Sequence, residues 1–199
     1  MQGIRLTDLD FTARQLLVQG HSGRVAEKLA TALSALDVQT WENLIAALEY
    51  HGMTPLIAPL FEDGKIASIA GTQARRMVTT LQVKHRLSVQ RREACVDELL
   101  TAFADADITI LLLKGAALAH QIYQTPELRP SIDIDVLIEA TDNARARMCC
   151  EELGYRFSRQ HRSPHARWMH HLPVAQKEMD KTTIQLEIHT DVMSPPAIR

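Results

Sequence analysis

Between Leu111 and Ile138 the chain reads LLLKGAALAHQIYQTPELRPSIDIDVLI, and this stretch constrains the fold more than any other. A short apolar strand is predicted over 109–113, ending at Lys114-Gly115. A helix is predicted over 116–123, and a second strand then presents Asp133 and Asp135. Strand side chains alternate between faces. Asp133, Asp135 and Leu137 therefore share one face, and Ile132, Ile134, Val136 and Ile138 the other. The apolar face packs into a core, which sends both carboxylates to one open side. Two like charges this close repel unless a cation sits between them. Magnesium meets that need, because it takes oxygen ligands and commonly uses one or two carboxylates together with substrate phosphates.

A third carboxylate comes from residues 182–190, TTIQLEIHT, which alternate with period two. Ile184, Leu186 and Ile188 are predicted to face the core, leaving Gln185, Glu187 and His189 on the other side. If this strand lies beside the Asp133–Asp135 strand, three carboxylates converge. Two metal ions about 4 Å apart can then bind a triphosphate and activate a hydroxyl. Each piece has a plainer reading: a D-x-D on a strand is common, and a strand-borne Glu or His usually faces solvent. Lys114 alone would pass for a surface lysine at a strand end. The combination favours phosphoryl or nucleotidyl transfer. Lys114 and Gly115 lie beside the predicted helix N-terminus, where backbone N–H groups and the helix dipole favour phosphate. Gly115 lets an anion approach the backbone closely.

These residues resemble the nucleotidyltransferase superfamily that includes DNA polymerase β, and in particular a poorly characterised bacterial branch of it. The resemblance rests on Leu113-Lys114-Gly115, Tyr123, Arg129, Asp133-Ile134-Asp135-Val136-Leu137 and Glu187-Ile188-His189. It covers roughly residues 95 to 192. It implies an α+β fold, with an N-terminal helical region packed on a small mixed-sheet, polymerase β-like catalytic domain. Residues 1–94 are expected to form the helical region and 95–199 the catalytic domain. Relatives continue well past the E-x-H strand, so truncation at the C-terminus is an expectation for this chain. The superfamily usually has Gly-Ser after the first strand where this chain has Lys-Gly.

The resemblance implies a magnesium-dependent enzyme, with two ions and manganese as an alternative, that moves an NMP from an NTP to a hydroxyl acceptor and releases pyrophosphate. Asp133, Asp135 and Glu187 are the expected catalytic residues and metal ligands. Lys114, Gly115 and Arg129 are the expected nucleotide-binding residues, ATP being one candidate, and His189 is expected to contact substrate or orient Glu187. The acceptor is open between a small molecule and a protein. The alternative is an inactive nucleotide-binding or protein-interaction module, but retention of three carboxylates argues against a dead site.

Composition narrows the partners. With 46% apolar and 23% charged residues, the 199-residue chain reads as globular. A net charge of −2 supplies no global field for nucleic acid, so long nucleic acid is the less favoured acceptor. Three cysteines without metal-ligand spacing fit a reducing cytoplasm. No apolar run reaches the length of a membrane span, and no signal peptide is visible. His161, His165, His170 and His171 invite a zinc reading, but no cysteine lies near them.

The first hundred residues read as helices, predicted over 6–19, 25–36, 41–50 and a short segment from Thr54-Pro55, then a long one over 72–106. Thr40 is the expected N-cap of the third. The basic residues of the long helix, Arg75, Arg76, Lys84, Arg86, Arg91 and Arg92, read first as a solvated face. A helix over 142–153 capped by Gly154, an edge strand at 155–157 and a hairpin of 168–175 with 182–192 complete the second half.

Overall fold

The computed structural model describes residues 27–62, 65–129, 131–158, 172–180 and 182–191. The chain divides into two compact units, Met1–Leu87 and Ser88–Arg199. Among the described residues no helix is long and apolar enough to cross a membrane. The predicted helix over 6–19 and the histidines at 161, 165, 170 and 171 lie outside the described residues.

The first unit is helical. It contains α1 (Glu27–Ser34), α2 (Val38–Tyr50), α3 (Thr54–Glu62), α4 (Lys65–Ile69) and the start of α5 (Gly71–Asp105). Trp41, Leu44, Ile45 and Leu48 recur at the spacing of one helical face and are all buried. Trp41 meets Phe61 edge-on, with ring centroids 5.8 Å apart. The N-cap of α2 is Asp37 rather than Thr40: the Asp37 carboxylate accepts from the Thr40 backbone N–H at 2.8 Å. An aspartate with extended backbone three residues before that N–H competes better for the cap than a threonine already inside the first turn.

The second unit is a five-stranded mixed sheet with helices. Its elements are β1 (Ile110–Leu112), α6 (Lys114–Gln121), β2 (Asp133–Ile138), α7 (Asn143–Glu152), β3 (Arg156–Phe157), β4 (Ala175–Met179) and β5 (Thr182–His189). The strand order is β1-β2-β5-β4-β3. Among the described strands, only β2 and β5 run parallel; the remaining neighbours are antiparallel. The architecture is therefore α+β, as expected. The hairpin differs from its prediction. Its first arm is Ala175–Met179, and it turns through Asp180, whose φ is +47°. The polar run Gln176-Lys177-Glu178 reads as a loop, yet Lys177 inside it pairs with Glu98 of α5 and stands over the Tyr155 ring.

One apolar face of the sheet carries the core. Ile134, Val136 and Ile138 of β2 and Ile184, Leu186 and Ile188 of β5 are all buried, against Cys95, Val96, Leu99 and Phe103 of α5. Ile132, expected on that face, precedes the strand and is 79% exposed. Each buried aliphatic side chain contributes roughly 1.5–3 kcal/mol. A one-residue slip of β2 or β5 would turn three of them to the other face. This burial fixes which side of the sheet the carboxylates occupy.

Candidate active site

Asp135 lies directly opposite Glu187 across the parallel β2–β5 pair, Asp133 opposite Gln185, and Leu137 opposite His189. The opposite, non-core face thus brings together residues separated by some fifty positions in the chain. Asp135 Oδ1 is the focus of the site. The Lys114 ammonium donates to it at 2.6 Å, and His189 Nε2 lies 2.9 Å from the same oxygen. Both groups also face Glu187 Oε2, Lys114 at 3.9 Å and His189 at 3.7 Å.

Burial grades across these groups. The Asp135 side chain is 2% exposed, His189 15%, Glu187 28% and Lys114 58%. The open side expected for both aspartates holds only in part, because the core, the lysine and the histidine enclose Asp135. A buried carboxylate is costly unless it is paired and hydrogen-bonded, and both conditions are met here. The hydrogen bond from Lys114 to Asp135 raises the lysine pKa, with the charges of Asp135, Glu187 and Asp133 adding to that and desolvation opposing it.

Local structure places each group. Lys114 belongs to α6 as its first residue, whereas the helix was expected to begin at residue 116. Its φ is +45°, in the left-handed region that non-glycine residues seldom adopt. The Leu113 N–H donates to the Asp135 carbonyl at 2.9 Å, tying the start of α6 to the middle of β2. Gly115 is buried against Ser131: a Cβ there would stand 2.6 Å from the serine hydroxyl oxygen. Ser131 in turn donates to the Asp133 backbone carbonyl at 2.8 Å, and its hydroxyl lies 3.3 Å from Asp133 Oδ1. Arg129 closes the short 3₁₀ turn Pro126–Leu128, its N–H donating to the Pro126 carbonyl.

Ligand atoms of Asp135, Glu187 and His189 all lie within 4.8 Å of one another. Two carboxylates and an imidazole form a donor set that fits a divalent cation, with the hard oxygens suited to magnesium or manganese. Asp133 shares the face but is not one of that group of three. His189 is the member whose place the sequence pattern underplays. Alternation puts it on the correct face, but only the register with Leu137 brings its ring to Asp135.

Arg92 was also misread by pattern. It reads as part of a solvated basic face, yet it is 9% exposed, in line with the buried Val89, Cys95, Val96 and Leu99 on α5. Its Nη2 is 3.3 Å from Ser88 Oγ, and its buried Nε has no hydrogen-bond partner. Burial lowers its pKa, with the charge of Asp133 the leading opposing influence. One residue earlier, Arg91 Nη1 donates to Thr182 Oγ1 at the start of β5. That contact sets this turn of α5 at the end of the parallel pair where Asp133 stands.

A cavity of about 470 Å³ opens at the other end of the pair, floored by Leu111 and Leu137 and edged by Thr190 and Asp191. Leu137 and His189 are register partners, so the cavity begins next to the charged cluster.

A nucleotidyltransferase family, described as uncharacterised, has a model that matches residues 37–198. The chain belongs to this family. As a nucleotidyltransferase it is a transferase of phosphorus-containing groups. No curated protein and no solved structure matches it.

Proposed function

We propose that this nucleotidyltransferase moves an NMP from an NTP to a hydroxyl acceptor in a magnesium-dependent reaction that releases pyrophosphate. The observation that carries the reading is the placement of Asp135 opposite Glu187, with Lys114 and His189 converging on the same oxygens.

Asp133, Asp135 and Glu187 would hold magnesium or manganese, and His189 would keep Asp135 and Glu187 in place. The bound metal supplies charge neutralisation at the phosphates and acidity at the acceptor hydroxyl. Lys114, the first turn of α6 and Arg129 bind the β- and γ-phosphates, where the helix N-terminus favours negative charge. Glu187, the more exposed of the paired carboxylates, accepts the proton of the acceptor hydroxyl. The acceptor oxygen bonds to the α-phosphorus as the bond from that phosphorus to the β-bridging oxygen breaks, and pyrophosphate leaves with the electron pair. In-line displacement puts attacking and leaving oxygens on opposite sides. With pyrophosphate held at Lys114, the cavity over Leu111 and Leu137 is the side left for the acceptor.

α-Labelled ATP, GTP, CTP and UTP, each with magnesium and a cell extract as the source of hydroxyl acceptor, test this reading on wild type and Asp135→Asn. Wild type is expected to bind at least one triphosphate and to pass its α-label to an acceptor as pyrophosphate is released, with a loss of about 10³-fold in the variant. Label transfer that survives in a folded Asp135→Asn protein would sink the assignment.

A further inference from the structure

The atoms that Lys114 touches are the atoms a metal would need. Its ammonium approaches Asp135 Oδ1 and Glu187 Oε2, the same two oxygens that face His189 Nε2. A lysine ammonium and a divalent ion are both cations, and they cannot share these oxygens at contact distance without strong repulsion. Burial is unequal across the cluster: the Asp135 side chain is enclosed, whereas that of Lys114 is more than half exposed. Its backbone is tied through Leu113 to Asp135. The ammonium can therefore swing on its four-carbon stem while the strand and helix stay in place.

We propose that Lys114 is the resident cation of the ligand-free site, that a divalent ion displaces it, and that the displaced ammonium then pairs with the triphosphate arriving with that ion. This rests on the nucleotidyl-transfer reading and adds an order of events to it. A bare ion must break the Lys114–Asp135 contact and return the ammonium to water with no new anion to pair it. An ion accompanied by a triphosphate supplies a new anionic partner at the same moment. Metal and nucleotide therefore help each other bind, and by linkage each raises the affinity of the other by the same factor. The positive φ at Lys114 fits a residue held for a functional reason rather than for helix stability.

Manganese is the probe, because its binding is read directly by electron paramagnetic resonance without turnover. Affinity is measured on the full chain with and without a non-hydrolysable α,β-methylene triphosphate, for wild type, Lys114→Met and Lys114→Arg. Circular dichroism establishes that each variant is folded. Bare manganese is expected to bind Lys114→Met about tenfold more tightly than wild type, within the usual range of coupling between sites. The triphosphate should enhance manganese binding strongly in wild type, partly in Lys114→Arg and least in Lys114→Met. Equal or weaker binding of bare manganese by Lys114→Met, with wild type still binding manganese and triphosphate together, overturns the displacement role and leaves the transfer reading standing. Wild type that binds no manganese even with the triphosphate overturns both.

Discussion

Gly115 and Ser131 are packed so closely that a side-chain carbon on the glycine cannot fit beside the serine hydroxyl unless something shifts. A Cβ would meet Ser131 Oγ at 2.6 Å and Ser131 Cβ at 3.0 Å. This contact joins the first turn of α6 to the segment entering β2 and adds to the Leu113–Asp135 backbone bond in positioning Lys114 and Asp133.

Gly115→Ala is therefore expected to destabilise the chain by about 1–3 kcal/mol, the usual cost of overpacking, and to weaken triphosphate binding. Ser131→Gly removes both clashing atoms. In the double variant much of the loss should return, as a double-mutant cycle on thermal melts would read. Purely additive losses would show that the two residues do not press on each other.

Arg92→Met offers a different contrast. A buried guanidinium whose Nε lacks a partner carries a desolvation cost that an apolar side chain of similar length avoids. The melting temperature of Arg92→Met is expected to hold or rise, by the equivalent of about 1–4 kcal/mol at most. Transfer activity should fall, because Asp133 loses a nearby positive charge. A lower melting temperature would mean that the Ser88 contact and the attraction to Asp133 outweigh desolvation.

In the helical unit, Glu49 ties three residues together. Burial acts to raise its pKa, but hydrogen bonds from His85 and Thr54 and the charges of His85 and Lys84 hold the carboxyl below its usual value of 4.5. A folded-state pKa below the unfolded one gives stability that is present above pH 4.5 and lost as pH falls through the folded value. Wild type should thus melt above Glu49→Gln at pH 7, by about 1–2 kcal/mol in stability. That gap should close as pH is taken below 4.5. A gap that stays constant down to pH 3 counts against the pairing.

The three thiols should separate in alkylation. Burial pushes the Cys150 thiol up to about 12 and raises Cys95 as well. The thiolate is the reactive form, so a buried thiol held protonated reacts slowly. Cys149, on the same helix, is only half-buried. Iodoacetamide followed by peptide mapping should mark Cys149 in the native protein and spare Cys95 and Cys150 until it is unfolded. Modification of Cys150 at the Cys149 rate would mean that the core around α7 is open.

Much of this site was legible in the residues themselves. The isoleucines and valine that flank Asp133 and Asp135 dictate which way the carboxylates face, and the same alternation isolates Glu187 and His189. The register between the two strands was not legible, since neither pattern contains the other. It alone sets Glu187 opposite Asp135 and brings His189 to its oxygen. β4 escaped because its inward positions include Lys177, whose aliphatic stem packs while its charge pairs with Glu98. Arg92 escaped for a related reason: a charged letter on a helix says exposed until the stripe it continues is known to be the buried one.

The position of β5 within the sheet has a consequence for how the protein is made. Although it is the last described strand in sequence, it lies between β2 and β4. While the ribosome is still synthesising residues 182–189, β2 has already emerged with one edge unpaired, a state open to aberrant pairing. The D-x-D strand must wait for β5, some fifty residues later in the chain. Nascent protein can therefore carry no assembled charge cluster until residues 182–189 have emerged and paired with β2.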